Sequence, residues 1–234
     1  MRQIVLDTET TGLEANRGHR IIELAAVEIR DRRITDACFH RYLNPERESD
    51  AGALAVHGIS NESLLDKPKF HEIAGEFLDF IAGAELIIHN ADFDVAFLDH
   101  ELALAALDPL RTHCAVVTDT LRMAKDLHPG KRNGLDALCE RYQVDNSGRT
   151  LHGALLDARL LAEVYLAMTR GQESLMIEIG ETMPRGLEGR QGGVRRPIRV
   201  VSPTAEELAA HAAYLELLDK ESKGGCVWKR AESG

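Results

Sequence analysis

The period of the hydrophobic positions changes several times along the chain, and each change marks an element. Ile4 to Glu9 is a short apolar run that ends in polar residues, the pattern of a buried strand. Ile21 to Ile29 is apolar and rich in β-branched residues, and Arg33 to Leu43 partly alternates, so a sheet is predicted to open the domain. The period then becomes helical. Phe70, Ile73, Ala74, Phe77, Leu78 and Ile81 share one face, with Pro68 before them and Gly83 after. Glu85 to Asn90 reads as a compact strand, followed directly by a helical stretch from Asp92 to Leu107. Val116 and Val117 mark a last strand. Leu121 to Leu127, Leu135 to Tyr142 and Gly153 to Met168 read as helices. Strands first and strand–helix alternation afterwards predict an α/β domain with a mixed sheet.

Composition shifts near Gly180. Residues 181–203 are rich in Gly, Pro and Arg, including Arg185, Arg190, Arg195, Arg196 and Arg199, and hold no hydrophobic period, which predicts a flexible linker. Order is expected to return at Thr204, which has capping-box spacing to Glu207. Leu208, Ala212, Leu215 and Leu218 form a stripe along the helix that follows. Gly224-Gly225 breaks it, and Cys226-Val227-Trp228 comes next. The reading is a domain over 1–177, a linker over 178–203 and a partner-binding segment over 204–234.

Charge and cysteines narrow the function. The formal net charge of −10 argues against a protein that grips nucleic acid by bulk positive charge, but not against an enzyme that meets phosphates through metal ions. No run approaches the ~20 apolar residues of a membrane span. Cys38, Cys114, Cys139 and Cys226 form no CxxC pair, so neither a disulfide framework nor a zinc knuckle is expected. With no signal peptide before the first strand, a reducing cytoplasm is the expected location.

Three short segments carry candidate chemistry. Asp7 and Glu9 alternate along a strand and therefore point to one face. Two adjacent carboxylates at a buried strand end repel each other, and a divalent cation would relieve that cost; the alternative is a solvated strand end. His89-Asn90-Ala91-Asp92-Phe93-Asp94 lies at a strand-to-helix junction, a common place for ligand sites. There Asp94 is either a ligand or a first-turn acid that complements the helix dipole, and Asp92 is the preferred helix cap over Asn90. In His152-Gly-Ala-Leu-Leu-Asp157 the five-residue offset turns roughly 140° on a continuous helix. The two side chains converge only if His152 precedes the helix, which Gly153 makes feasible; otherwise His152 is an ordinary loop residue.

Taken together, Asp7, Glu9, Asp94, His152 and Asp157 resemble the DEDDh family of 3′→5′ exonucleases, over most of residues 1–170. The resemblance is strongest to the proofreading branch that serves bacterial DNA polymerase III. It extends through Val56-His57-Gly58-Ile59, Pro129-Gly130-Lys131-Arg132-Asn133, Leu135-Asp136-Ala137-Leu138-Cys139, Arg149-Thr150-Leu151 and the Cys226-Val227-Trp228 terminus. It implies a ribonuclease H-like fold, a mixed five-stranded sheet flanked by helices. It implies two divalent ions, Mg²⁺ or Mn²⁺, held by Asp7, Glu9, Asp94 and Asp157, with His152 as the base that deprotonates water. Asp7, Glu9, Asp157, Thr10, Thr11 and His57 would contact the DNA 3′ end, and Lys131 and Arg132 are possible phosphate contacts. Gly52 departs from the pattern, standing where the branch has an acid that touches substrate.

The resemblance also implies partners. Gln172, Leu175, Met176 and Ile177 resemble a weak sliding-clamp motif, for which a plain helix exit is the alternative. Leu208, Leu215 and Trp228 would engage the polymerase III alpha subunit. Two other readings stay open: a DEDDh ribonuclease trimming RNA 3′ ends, and a non-catalytic subunit bridging polymerase and clamp.

Overall fold

The structure is a computed structural model, and it describes residues 2–149, 151–170 and 203–221. The chain divides into two units, Met1–Thr182 and Met183–Gly234. The first is built on five strands: β1 (Arg2–Thr10), β2 (Ile21–Arg30), β3 (Arg33–Tyr42), β4 (Glu85–Ile88) and β5 (Val116–Asp119). Their order in the sheet is β3-β2-β1-β4-β5. β1 pairs antiparallel with β2, placing Asp7 opposite Ala25 and Glu9 opposite Glu23. β1 is parallel to β4, which is parallel to β5. The sheet is therefore mixed, with β1 at its centre.

Among the described residues of this unit there are seven α-helices: α1 (Ala51–His57), α2 (Asn61–Leu64), α3 (Phe70–Ile81), α4 (Ala91–Leu104), α5 (Thr120–Leu127), α6 (Leu135–Tyr142) and α7 (Ala154–Met168). The alternation of β1 sorts them. Its even residues Ile4 and Leu6 face a core filled by Phe77 and Ile81 of α3 and Phe97 and Leu98 of α4, all fully or almost fully buried. Its odd residue Val5 faces Leu161, Ala162 and Tyr165 of α7. Leu160 and Val164 of α7 also pack against Ala124 of α5 and Leu138 and Cys139 of α6. β1 is thus covered on both faces, which explains why its apolar positions run continuously rather than alternating.

The predicted strands and the helices over 70–81, 121–127, 135–142 and 153–168 are present to within a residue or two. Three details differ. α1 and α2 were not expected; α1 is mostly exposed, so it carries no apolar period to read. The helix predicted from Asp92 to Leu107 starts at Ala91 and stops at Leu104, where the chain turns through Ala106 at φ 57°. The strand predicted to reach Asn90 ends at Ile88 because Asn90 adopts a left-handed conformation.

In the second unit, α8 (Ala205–Glu221) begins at the expected capping box. The Thr204 N–H donates to Glu207 at 2.7 Å, and the Glu207 N–H donates to Thr204 Oγ1 at 3.2 Å. Of its predicted stripe, Leu215 is buried and Leu208 exposed. Among the described residues no helix is long and apolar enough to cross a membrane.

Candidate active site

The site lies where the parallel strands β1 and β4 end, the usual place for a ligand in an α/β sheet. Asp7 and Glu9 follow Val5 on the face of β1 that α7 covers. Asp94 approaches from the first turn of α4 and accepts a 2.7 Å bond from Thr8 Oγ1, on the other face of the same strand. Asp92 does not cap this helix, contrary to the expectation from sequence. Helix α4 begins one residue earlier than predicted, so Asn90 holds the capping position and exposed Asp92 sits inside the first turn. Asn90 itself caps through backbone geometry (φ 66°) with no side-chain bond.

His152 precedes α7, whose capping residue is the extended Gly153. That break brings His152 Nδ1 within 3.4 Å of Asp157 Oδ2. Two bonds fix the junction. The His152 N–H donates to the Val56 carbonyl of α1 at 3.1 Å, and the Ala154 N–H, at the start of α7, donates to Glu23 Oε2 at 3.1 Å. Glu23 is buried and also bonds His40 Nε2 at 2.7 Å. It supports the positive end of the helix that carries Asp157.

Ligand atoms of Glu9, His152 and Asp157 lie within 4.8 Å of one another. Electrostatics bring in the other two acids. Burial, then the charges of Asp94, Asp157 and Glu9, hold the Asp7 carboxyl well above its ordinary range. Burial and the neighbouring Asp157 and Glu23 push Glu9 up to about 8. Burial raises Asp94 to about 7 against the opposing bond from Thr8. Carboxylates that repel this strongly suit a divalent cation, and their hard oxygen atoms fit Mg²⁺ or Mn²⁺ better than a softer metal.

The five residues line one cleft of about 740 Å³, together with His89, Arg132, Asn133, Asp136 and Arg149. A more apolar cleft of about 470 Å³ adjoins it across Glu9, lined by Thr10, Leu13, Gly52, Val56, His57 and Phe93. His57 is buried, and burial lowers its pKa. Its Nδ1 accepts from the Ile59 N–H at 2.9 Å, so the ring proton sits on Nε2, which has no partner among the described residues. Thr10 donates to the Gly12 carbonyl at 2.7 Å. Thr11 is fully buried, bonded to His19 and to the Arg20 N–H, and lines neither cleft. Lys131 is exposed and lines neither. Gln172, Leu175, Met176, Ile177 and Trp228 lie outside the described residues.

Sequence reasoning gave no role to Glu23, Thr8 or Arg149. An acid inside the apolar run Ile21 to Ile29 was a signal for Glu23. Arg149 had none beyond its place beside His152. Its Nε and Nη2 each donate to Asp157 at 2.6 Å.

Comparison with known proteins gives the family of the chain. The family model described as Exonuclease matches residues 4–165. The DNA polymerase III subunit epsilon of Escherichia coli (strain K12) is 54% identical over 237 residues, covering 97% of each chain. The subunit of the same name from Pasteurella multocida (strain Pm70) is 49% identical, covering 98% of this chain and 94% of its own. In fold, the chain is similar to the nuclease domain of 3′hExo, a DEDDh family member bound to rAMP. The TM-score is 0.62 at 18% identity, over 72% of this chain and 92% of that one. With a buried carboxylate site at the end of its central strand and relatives of this identity along nearly its whole length, the chain belongs to the exonuclease family and, within it, to the epsilon subunits of DNA polymerase III.

Proposed function

We infer that this chain is the 3′→5′ proofreading exonuclease of a bacterial replicative DNA polymerase, working in the cytoplasm where that polymerase works. The observation that carries the reading is the convergence of Glu9, His152 and Asp157 within 4.8 Å, with the charges of Asp94, Asp157 and Glu9 close enough to Asp7 to raise its pKa. Asp7, Glu9, Asp94 and Asp157 would hold two divalent ions, Mg²⁺ or Mn²⁺. Bound there, such ions supply positive charge at the scissile phosphate and lower the pKa of water.

The remaining work falls to the chain. His152, half-exposed at the mouth of the cleft, accepts the proton of the attacking water. The water oxygen bonds to phosphorus, the bond from phosphorus to the 3′ oxygen breaks, and that oxygen takes up a proton. A nucleoside 5′-monophosphate leaves. The apolar cleft beside Glu9 suits the terminal nucleoside, with Leu13, Val56 and Phe93 against its flat faces and His57 Nε2 as a donor. Arg132, on the rim of the main cleft, suits a phosphate of the strand. The exposed Leu208 and buried Leu215 of α8, with Trp228, serve the polymerase alpha subunit. Residues 172–177 serve the sliding clamp.

The test is digestion of a 5′-labelled DNA strand with a mismatched 3′ end. Wild type should shorten it stepwise from that end with Mg²⁺ or Mn²⁺, and Asp7→Ala or a chelator should abolish shortening. Digestion that persists in Asp7→Ala would overturn the site. Faster trimming of ribonucleotide than deoxyribonucleotide 3′ ends would favour the RNA-trimming reading instead.

A further inference from the structure

We propose that Arg149 is a displaceable internal cation, which holds both Asp157 and His152 until a divalent metal ion takes its place at Asp157. The proposal rests on the two-metal reading of the site.

The geometry is that of a latch. The Arg149 fork takes both carboxylate oxygens of Asp157, Nε to Oδ1 and Nη2 to Oδ2, each at 2.6 Å. Both side chains are enclosed, 7% and 5% exposed, so water competes little for the pair. Nη2 also lies 2.9 Å from His152 Nδ1. A guanidinium only donates, so Nδ1 must be the acceptor in that contact. While the contact lasts, the lone pair of Nδ1 is engaged and cannot accept a proton from water. One side chain therefore occupies a proposed metal ligand and one basic nitrogen of the proposed base.

The third nitrogen points to the way out. Nη1 donates to Asp136 Oδ1 at 2.6 Å, and Asp136 stands on the first turn of α6 with its side chain 66% exposed. Asp136 is not one of the four carboxylates read as metal ligands. A guanidinium leaving Asp157 keeps this partner, so release does not strand a buried charge. Asn146 Nδ2 donates to Asp136 Oδ1 at 3.1 Å and holds the anchor in place.

Competition follows from charge. A divalent ion among Glu9, His152 and Asp157 needs at least one Asp157 oxygen, and the fork already uses both. Two cations sharing one enclosed carboxylate repel each other. In exchange, Arg149 places a positive charge against Asp157 in a cleft that also holds Asp7 and Glu9.

The opposite role is a permanent support that orients Asp157 for metal, and the two roles differ in sign. Mn²⁺ binding to the full chain, followed by calorimetry or electron paramagnetic resonance, separates them. Arg149→Gln should bind Mn²⁺ about 10-fold more tightly or better, and its thermal midpoint without metal should fall. Asp136→Asn, which removes the charge of the anchor and so favours the guanidinium staying on Asp157, should bind Mn²⁺ more weakly than wild type. Unchanged or weaker binding in Arg149→Gln overturns the proposal. Should that variant not fold, unchanged or tighter binding in Asp136→Asn overturns it equally. A wild-type chain that binds no Mn²⁺ would remove the metal reading and this proposal together, whereas binding that ignores both substitutions removes this proposal alone.

Discussion

At the scale of single residues, the molecule accepts a local cost to keep its acids together. Glu9 rises from an ordinary 4.5 to about 8, and Asp94 from 3.8 to about 7. Between those limits the folded chain holds protons that the unfolded chain has released. Stability from these groups is therefore fully present below the ordinary carboxylate values and is lost as pH climbs through about 7 and then about 8. Without divalent metal, the thermal midpoint should fall as pH is raised from about 5 to about 8. Glu9→Gln should flatten that slope, and Mn²⁺ should offset it at the alkaline end. An equally steep slope in Glu9→Gln would refute this account of the cluster. Asp7 and Glu9 were legible in the sequence because strand alternation is a rigid rule. Asp92 does not cap the helix because cap preference is only statistical, and a left-handed Asn90 starts the helix with no capping bond from its own side chain. The Arg149–Asp157 pair spans a loop and a helix, and no periodicity records such a meeting.

At the scale of elements, the long helices and strands declared themselves because each buries a face. Helix α3 buries Phe70, Ile73, Ala74, Phe77 and Ile81, the positions its helical period marks. Helix α1 stayed hidden, yet it matters to the site. It ends at Gly58 with φ +68°, and the next element to touch it is the loop bearing His152. A Cβ on Gly58 would stand 2.5 Å from Leu151 Cδ1, one residue before His152. Gly58→Ala should therefore cost about 1–2 kcal/mol for the left-handed backbone alone. It should lower turnover further by displacing the loop. Thermal unfolding and single-turnover digestion test the two effects separately. A variant with wild-type stability would show that the backbone relaxes at no cost.

At the scale of the whole molecule, the net charge of −10 sets how the enzyme meets DNA. An acidic chain neutralises few phosphates and so binds strands weakly by itself. Attachment to a polymerase compensates by raising the local concentration of the 3′ end without new contacts. A chain ending after Arg170 should digest free single strands as fast as the full chain, while its contribution to polymerase-coupled correction should collapse. Equal loss in both assays would contradict the tethering account. The change of composition near Gly180 was legible because it removes the hydrophobic period altogether. What the C-terminal segment engages was not, since one apolar stripe looks the same whichever surface it meets.

The central position of β1 has a consequence for the birth of the protein. Asp7 and Glu9 leave the ribosome before β4, which must pair in parallel beside β1 before Asp94 can arrive. Asp157 and its helix emerge long after that. Because chains are made from the N-terminus and non-local pairings close slowly, the nascent polypeptide carries half of a nuclease site through most of its own synthesis. The site is complete only when α7 packs against β1 and brings Asp157 to it.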